Sequence, residues 1–211
     1  MLSWLSKNKT KEYKERLLKS FPTELKTDVD SVIKILPLEK NHVKLCDGQV
    51  HKVDNLIHST ELTIKLNGEQ LTIPYRLYFD EPNIDSEKNL TDRQKTILNC
   101  IFLRHHNGHL RERRLKKLVN QDKNWIIPFT IQLLGEYVYE ILEVLEEHIN
   151  EKTIDDYHSF TEENPKYWQQ TESRIISYWN EYYRRKFPNL KEYLGTALAK
   201  RIKKTNAQQK V

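Results

Sequence analysis

Residues 62–73 read Leu-Thr-Ile-Lys-Leu-Asn-Gly-Glu-Gln-Leu-Thr-Ile, and this stretch decides the fold class of the chain. Asn67-Gly68 separates two runs in which apolar and polar residues alternate. This pattern is typical of a β-hairpin whose two-residue turn needs positive φ at both positions. A turn of that length places Ile64 opposite Leu71, so the apolar side chains of both strands share one face. The sequence therefore predicts an antiparallel hairpin with one face buried.

The residues on either side of this hairpin extend the strand pattern. Downstream, the alternation of apolar residues continues as far as Phe79. Pro74 has no N–H to donate, so the second strand is expected to lie at a sheet edge or to be bulged there. Upstream, Asp47-Gly48 is flanked by Val43, Leu45 and Val50, a pattern that predicts a second hairpin.

Helical periodicity occurs on both sides of the strands. Residues 9–20 predict a short amphipathic helix before them. Thr91 and Gln94 have the spacing of a capping box, so a helix is expected to start at Thr91 and to end at Asn107-Gly108. A shorter helix is expected directly after that turn.

The most apolar part of the chain predicts one central helix from Trp125 to Ile149. Apolar residues surround its first half, which is typical of a buried helix, and acidic residues gather in its second half, which should reach solvent. Gly135 within it predicts close approach of another backbone. Asn164-Pro165 predicts the start of a further helix with Asn164 as N-cap, and a basic helix is expected to follow near the C-terminus.

The order of these elements predicts an α+β fold. A small antiparallel sheet with a hairpin forms the N-terminal half, and helices pack around the buried central helix in the C-terminal part. The predicted division is a strand-rich region over residues 1–85, a helical region over 86–204 and a disordered tail over 205–211. A single domain is the alternative.

Charge, cysteine content and apolar segments indicate the compartment and the kinds of partner to expect. The net charge of +5 and the pI near 9.0 allow attraction to nucleic acid. Two cysteines form no disulfide framework, which favours a reducing compartment. The N-terminus has no signal-peptide pattern, and no stretch approaches the ~18 apolar residues of a membrane span. The sequence therefore predicts a cytoplasmic protein without a membrane partner.

The most unusual polar stretch lies between residues 104 and 111. Its histidines occur near Cys100, and imidazole and thiolate are good zinc ligands. Adjacent histidines diverge on a helix, however, and the spacing matches no standard zinc motif. We therefore predict neither a metal nor a cofactor, and we favour helix capping and turn structure over a polar ligand surface. The candidate residues here are Arg104, His105, His106, His109 and Arg111.

Basic segments are the candidates for contact with nucleic acid, through charge-assisted phosphate contacts that weaken as salt rises. A solvated helix face is the alternative interpretation. A helix-turn-helix arrangement is disfavoured, because the helix that would follow is apolar and then acidic rather than suited to a major groove. The basic candidates are Arg113, Arg114, Lys200, Arg201, Lys203 and Lys204.

An aromatic stripe precedes the last helix, next to Arg184-Arg185-Lys186. Aromatic and basic side chains together are used for stacking on bases. The same stripe at helical spacing is more often core, which is the preferred interpretation. Its members are Trp168, Tyr178, Trp179, Tyr182 and Tyr183.

No signature of a phosphate-binding loop, a hydrolase nucleophile or a zinc protease occurs in the sequence. The leading hypothesis is a noncatalytic interaction or assembly protein with a protein partner, which also contacts nucleic acid through basic segments. The alternative is an enzyme with an unrecognised polar site around Arg104–Arg111, to which Glu136 would contribute a carboxylate.

Part of the chain resembles a helical segment of a family of uncharacterised bacterial proteins. The resemblance covers roughly residues 90–150. It rests on Arg104-His105-His106-Asn107-Gly108, Arg111, Arg113, Trp125-Ile126-Ile127-Pro128-Phe129, Gln132-Leu133, Gly135-Glu136-Tyr137-Val138 and Glu140-Ile141-Leu142. It implies a bacterial source, and it carries no activity or substrate.

Overall fold

The computed structural model describes residues 2–44 and 48–204, and the fold is α+β, as the sequence predicts. The strands lie between the second and third helices. The strands are β1 (His42–Lys44), β2 (Val50–Lys52), β3 (Glu61–Leu66) and β4 (Glu69–Pro74). The α-helices are α1 (Leu2–Leu18), α2 (Lys26–Ile33), α3 (Ile84–Lys88), α4 (Asp92–Phe102), α5 (Gly108–Lys116), α6 (Ile127–Thr130), α7 (Tyr139–His148), α8 (Ile154–Glu163), α9 (Pro165–Tyr178) and α10 (Leu194–Lys204).

The described residues form two compact units. Those within 1–64 and 69–111 form the first unit, and those within 65–68 and 112–211 form the second. The hairpin tip therefore belongs to the second unit, although its strands are mostly in the first. The division near residue 85 stays a prediction.

The predicted hairpin is confirmed as β3 and β4, which form one of two antiparallel two-stranded sheets. Asn67 and Gly68 have φ angles of 52° and 82°, as a two-residue turn of this kind requires. Ile64, Leu71 and Ile73 are buried, so the apolar residues of both strands share a buried face.

Helix α8 ends against the tip of this hairpin, within the second unit. The N–H groups of Asn67 and Gly68 donate to the Glu163 carboxylate, at 2.9 and 2.6 Å. The side-chain amide of Asn164 accepts from the Lys65 N–H at 2.7 Å and donates to the Lys65 carbonyl at 2.8 Å. A carboxylate and an amide thus satisfy backbone groups of the exposed turn and of the strand before it.

The second hairpin has its two strands in the predicted place. β1 and β2 are antiparallel, with Val43 opposite His51. Gly48 has a φ of 83°, which a turn glycine adopts readily. Residues 45–47 lie outside the described part of the chain, so Asp47-Gly48 is described only at its glycine.

Helix α1 anchors the core of the first unit and is longer than the predicted span of residues 9–20. Tyr13 and Leu17 are buried, and the Tyr13 hydroxyl accepts from the Leu56 N–H at 3.2 Å. Arg16 donates to the Glu61 carboxylate at 2.5 Å. These contacts tie α1 to the chain that leads into β3.

The capping box at α4 is confirmed, but the predicted end of that helix is wrong. The Gln94 N–H donates to the Thr91 hydroxyl at 3.3 Å, and the Gln94 amide accepts from the Thr91 N–H at 3.1 Å. The helix ends at Phe102. The Asn107 side chain instead accepts from the His109 N–H at 3.0 Å, so Asn107-Gly108 begins α5.

A single central helix from Trp125 to Ile149 is also wrong, although residues 125–135 are buried as predicted. Pro128 fits only the first turn of a helix, where its missing N–H is not needed, and it lies there in α6. Glu136 is extended, with φ −112° and ψ 158°, which separates this segment from α7. The segment consists of the 3₁₀ turn Asn124–Ile126, then α6, then the 3₁₀ helix Ile131–Gly135, then α7.

Gly135 does lie in close contact, but with a side chain rather than with another backbone. A Cβ on Gly135 would lie 3.1 Å from the Cβ of Arg174 on α9. This glycine therefore allows close packing between α9 and the 3₁₀ helix that Gly135 ends.

The two long C-terminal helices start as predicted or close to it. α9 begins at Pro165, but the Asn164 side chain makes no capping hydrogen bond, because it pairs with Lys65. α10 carries the buried residues Leu198 and Ile202. The tail expected over 205–211 lies outside the described residues. Within the described residues, no helix combines the length and the apolar character needed to cross a membrane.

Candidate nucleic-acid interface

The two arginines of the polar stretch in the first unit are buried and bind backbone carbonyls. Arg104 and Arg111 are each 1% exposed. Arg104 Nη2 donates to the Tyr75 carbonyl at 2.8 Å. Arg111 Nη1 donates to the carbonyls of His105 and His106, at 2.7 and 3.0 Å. Both guanidinium groups therefore stabilise the chain around the turn.

The histidines of this stretch occupy different environments. His105 is buried, and its Nδ1 accepts from the Asn107 N–H at 3.1 Å. The His106 ring stacks on Tyr78 with centroids 5.5 Å apart, and burial lowers the pKa of His106. His109 is exposed. The adjacent His105 and His106 do not diverge as expected, because their ring centroids lie only 4.2 Å apart.

Cys100, the thiol nearest to these histidines in sequence, is buried. Its burial raises the pKa of the thiol well above the ordinary value, which disfavours the thiolate that binds zinc. Within residues 2–44 and 48–204, no three His, Cys, Asp or Glu side chains are grouped closely enough to hold a metal ion. Cys46 lies outside these residues.

The remaining candidates of this region fall in the second unit. Arg114 and Glu136 are buried, at 2% and 3% exposure, and Arg113 is exposed. Arg104–Arg111 belong to the first unit, so Glu136 is assigned to a different compact unit from the polar stretch that it was expected to join.

The four basic candidates of α10 divide into two pairs. Arg201 donates to the backbone carbonyls of Glu146 and Ile149 at the end of α7. Lys203 lies 2.6 Å from the Glu172 carboxylate. Lys200 and Lys204 are exposed, and their side chains make no hydrogen bond or ion pair with the described residues.

A cluster of three tyrosine rings, Tyr137, Tyr178 and Tyr182, lies at the end of α9, and we call it the tyrosine surface. The ring centroids are 6.2 Å apart for Tyr137 and Tyr178, 5.9 Å for Tyr137 and Tyr182, and 6.0 Å for Tyr178 and Tyr182. Tyr182 is 58% exposed and Tyr137 is 47% exposed. The cluster thus presents large aromatic side chains to solvent.

A π-helix over Trp179–Tyr183 continues α9 and holds this surface. The Tyr183 hydroxyl donates to the Tyr137 carbonyl. Trp179 Nε1 donates to the Phe187 carbonyl at 2.8 Å. Short π-helical segments occur frequently at functional sites, and here one fixes the backbone on both sides of the exposed rings.

Arg184, Arg185 and Lys186 follow the π-helix directly, and we call them the basic turn. Arg184 donates to the Asn180 side chain at 3.2 Å. Lys186 lies over the rings of Tyr139 and Phe187, at 4.9 and 5.2 Å from their centroids.

Arg185 differs from both of its neighbours in the basic turn. It is exposed and makes no hydrogen bond or ion pair with the described residues. One cation of the turn is therefore free to bind an external anion.

An open cleft of about 620 Å³ is lined by residues of the basic turn and by Tyr182 of the tyrosine surface. Glu181 contributes a carboxylate to the lining, which opposes an anion. The two arginines and the Asn180 amide contribute hydrogen-bond donors to the same lining. The cleft is lined by Asn180, Glu181, Tyr182, Arg184 and Arg185.

A layer of aromatic side chains lies next to the basic turn. Tyr193 is fully buried, and its ring stacks on Tyr183 with centroids 5.4 Å apart. Burial raises the pKa of Tyr139, Tyr183 and Tyr193 above the ordinary value, and neighbouring Glu143 adds to the effect at Tyr139. These phenols are therefore neutral at physiological pH and add no negative charge to the surface.

The preferred interpretation of the aromatic stripe as core holds only for its first part. Trp168 is buried, whereas Tyr182 is mostly exposed. Tyr137 was not among the stripe residues, because it was assigned to the interior of one central helix. The sequence signal that pointed to this site was the aromatic stripe beside three consecutive basic residues.

Comparison of the chain with models of protein families, with curated protein sequences and with solved structures gives no match. The resemblance of residues 90–150 to bacterial proteins stays a prediction.

Proposed function

We propose that this chain is a noncatalytic nucleic-acid-binding protein of the bacterial cytoplasm that contacts phosphates through the basic turn. The observation that carries the proposal is Arg185, an exposed guanidinium without a partner among the described residues, in a cleft that Arg184 and Asn180 also line. A guanidinium presents several donors in a planar arrangement that matches phosphate oxygens.

The basic turn differs from helix α10 in the kind of free cation that it offers, because Arg185 is a guanidinium that lines a cleft beside Tyr182, whereas the free cations of α10 are lysines. Arg201 and Lys203 on α10 are already engaged with backbone carbonyls and with Glu172. An engaged cation must give up its present partner before it contacts a phosphate. Lys200 and Lys204 are free, and they serve as a charge-matched comparison.

A catalytic site around Arg104–Arg111 has less support. Arg104 and Arg111 donate to backbone carbonyls from buried positions, which suits a role in holding the turn. Catalysis would need polar side chains that converge on an accessible cleft.

The experiment is fluorescence anisotropy with a fluorescein-labelled mixed-sequence 12-nucleotide strand at 50 mM salt. The double variant Arg184→Gln, Arg185→Gln should weaken binding at least about tenfold, because charge-assisted phosphate contacts are lost. The control Lys200→Gln, Lys204→Gln removes the same charge from the same unit and should change affinity much less. Absence of binding by the unmodified protein would overturn the proposal and would favour a protein partner.

A further inference from the structure

The tyrosine surface has a geometry that indicates what kind of nucleic acid the basic turn would meet. Exposed tyrosines are common, but here Tyr137 and Tyr182, which are 47% and 58% exposed, belong to one cluster with their ring centroids 5.9 Å apart. The rings of Tyr178 and Tyr182 are nearly parallel, at 27°. Because Tyr137 and Tyr182 are 47% and 58% exposed, a flat ligand can contact these two side chains from solvent.

The cluster is also held in place before any ligand arrives. The Tyr183 hydroxyl fixes the backbone at Tyr137, and the Trp179 indole fixes the chain at Phe187. Because Tyr182 lies inside the π-helix, its backbone is restrained as well. Restraint of the contact residues lowers the entropy lost on binding.

The charged side chains near the tyrosine surface indicate which ligands with flat apolar faces it favours. Arg185 and Arg184 line the cleft beside Tyr182 and favour an anionic ligand. Glu181 lines the same cleft, and Glu140 lies near Tyr183. Both carboxylates repel a ligand that carries negative charge on more than one side. The favoured ligand therefore carries a local phosphate charge next to a flat ring.

We infer that the tyrosine surface and the basic turn together bind single-stranded nucleic acid, with bases stacked on Tyr182 and Tyr137 and a phosphate held by Arg185. A paired duplex buries its base faces in its own stack, so only unpaired bases can stack on these rings. This inference rests on the proposed function and adds the strandedness of the ligand and the mode of contact.

Two probes of equal length test the mode of contact in the full chain. One is a 12-nucleotide deoxythymidine strand, and the other is a 12-nucleotide abasic strand with the same phosphates. The thymidine strand should bind more tightly by roughly 5- to 100-fold, because stacking contributes at each contacted base. A 12-base-pair duplex should bind more weakly than the thymidine strand.

Variants assign the effect to the rings. Tyr182→Ala and Tyr137→Ala should each reduce affinity for the thymidine strand by roughly 5- to 100-fold and leave affinity for the abasic strand unchanged. Tyr182→Phe retains the ring and should bind within about twofold of the unmodified protein. Ile84→Ala removes another exposed apolar side chain, 69% exposed, in the first unit and serves as the control.

The outcomes separate this inference from the proposed function. Equal binding of thymidine and abasic strands, with loss on changing Arg184 and Arg185, would overturn stacking and leave phosphate binding intact. Equal affinity for duplex and single strand would overturn the inferred strandedness. Binding to neither strand at low salt would overturn both.

Discussion

His148 is fully buried in the second unit, inside a small network of polar side chains. Its Nδ1 lies 2.9 Å from the Tyr157 hydroxyl, which donates to the Thr130 hydroxyl at 2.7 Å. Burial lowers the pKa of His148 from 6.5 to about 4, and the Gln121 backbone opposes this shift only in part. The imidazole is therefore neutral in the folded protein and charged in the unfolded chain at mildly acidic pH.

This difference in pKa predicts acid sensitivity with a definite sign. Between pH 6.5 and pH 4 the unfolded chain binds a proton at His148 that the folded protein does not. Stability should therefore fall by up to roughly 3 kcal/mol as pH decreases through this window. Urea denaturation at several pH values measures the slope. His148→Gln should flatten it and His109→Gln should not, and an unchanged slope in His148→Gln would contradict the assignment.

Substitution of Gly68 should lower the stability of the protein through the backbone rather than through charge. Its φ is 82°, and a Cβ added there would meet no atom within 4 Å. Gly68→Val should therefore destabilise the protein through backbone strain alone, by at least ~1 kcal/mol, because a β-branched residue resists positive φ. Gly68→Asn should be better tolerated, since Asn adopts this conformation more readily. Equal denaturation midpoints for Gly68→Val and the unmodified protein would count against the strained turn.

At the level of elements, the sequence correctly predicted those features that depend on contacts between residues close together in the chain. The hairpin was predictable because Asn67-Gly68 determines the turn, and the start of α4 was predictable because Thr91 and Gln94 satisfy each other. The break after Gly135 was not predictable from apolar periodicity, since residues 125–135 are buried in any helical form. The tyrosine surface depends on that break and on the π-helix, so only its basic and aromatic composition could be read from the sequence.

Within the π-helix, replacement of Tyr by Phe should have unequal effects on stability at the adjacent residues Tyr182 and Tyr183. Tyr183→Phe removes the hydroxyl that donates to the Tyr137 carbonyl. It should cost about 0.5–1.5 kcal/mol in unfolding free energy, the usual contribution of one hydrogen bond. The Tyr182 hydroxyl makes no hydrogen bond with the described residues, so Tyr182→Phe should leave stability nearly unchanged. Urea midpoints of the two variants give the comparison. A larger loss at Tyr182 would mean that this hydroxyl, rather than that of Tyr183, restrains the segment.

At the level of the whole molecule, the net charge of +5 hides an uneven distribution. Lys and Arg dominate from residue 184 to the C-terminus, whereas Asp and Glu dominate between residues 136 and 156. A polyanion attracted by net charge alone would contact many basic side chains at once. A polyanion bound by the basic turn would contact few, because Arg184 and Arg185 are the arginines that line the cleft.

Salt dependence distinguishes these two modes of binding. For single strands, the logarithm of the affinity falls with the logarithm of salt concentration by ~0.7 for each phosphate contact. Contacts by Arg184 and Arg185 therefore predict a slope of about −1 to −2. Arg184→Gln, Arg185→Gln should bring the slope close to zero, whereas Lys200→Gln, Lys204→Gln should leave it nearly unchanged. Anisotropy titrations of the thymidine strand between 50 and 300 mM salt measure all three slopes. A slope steeper than about −4 would indicate contacts with many basic side chains, and a slope that only the Lys200 and Lys204 changes reduce would place the phosphate contacts on α10; either result would contradict binding by the basic turn.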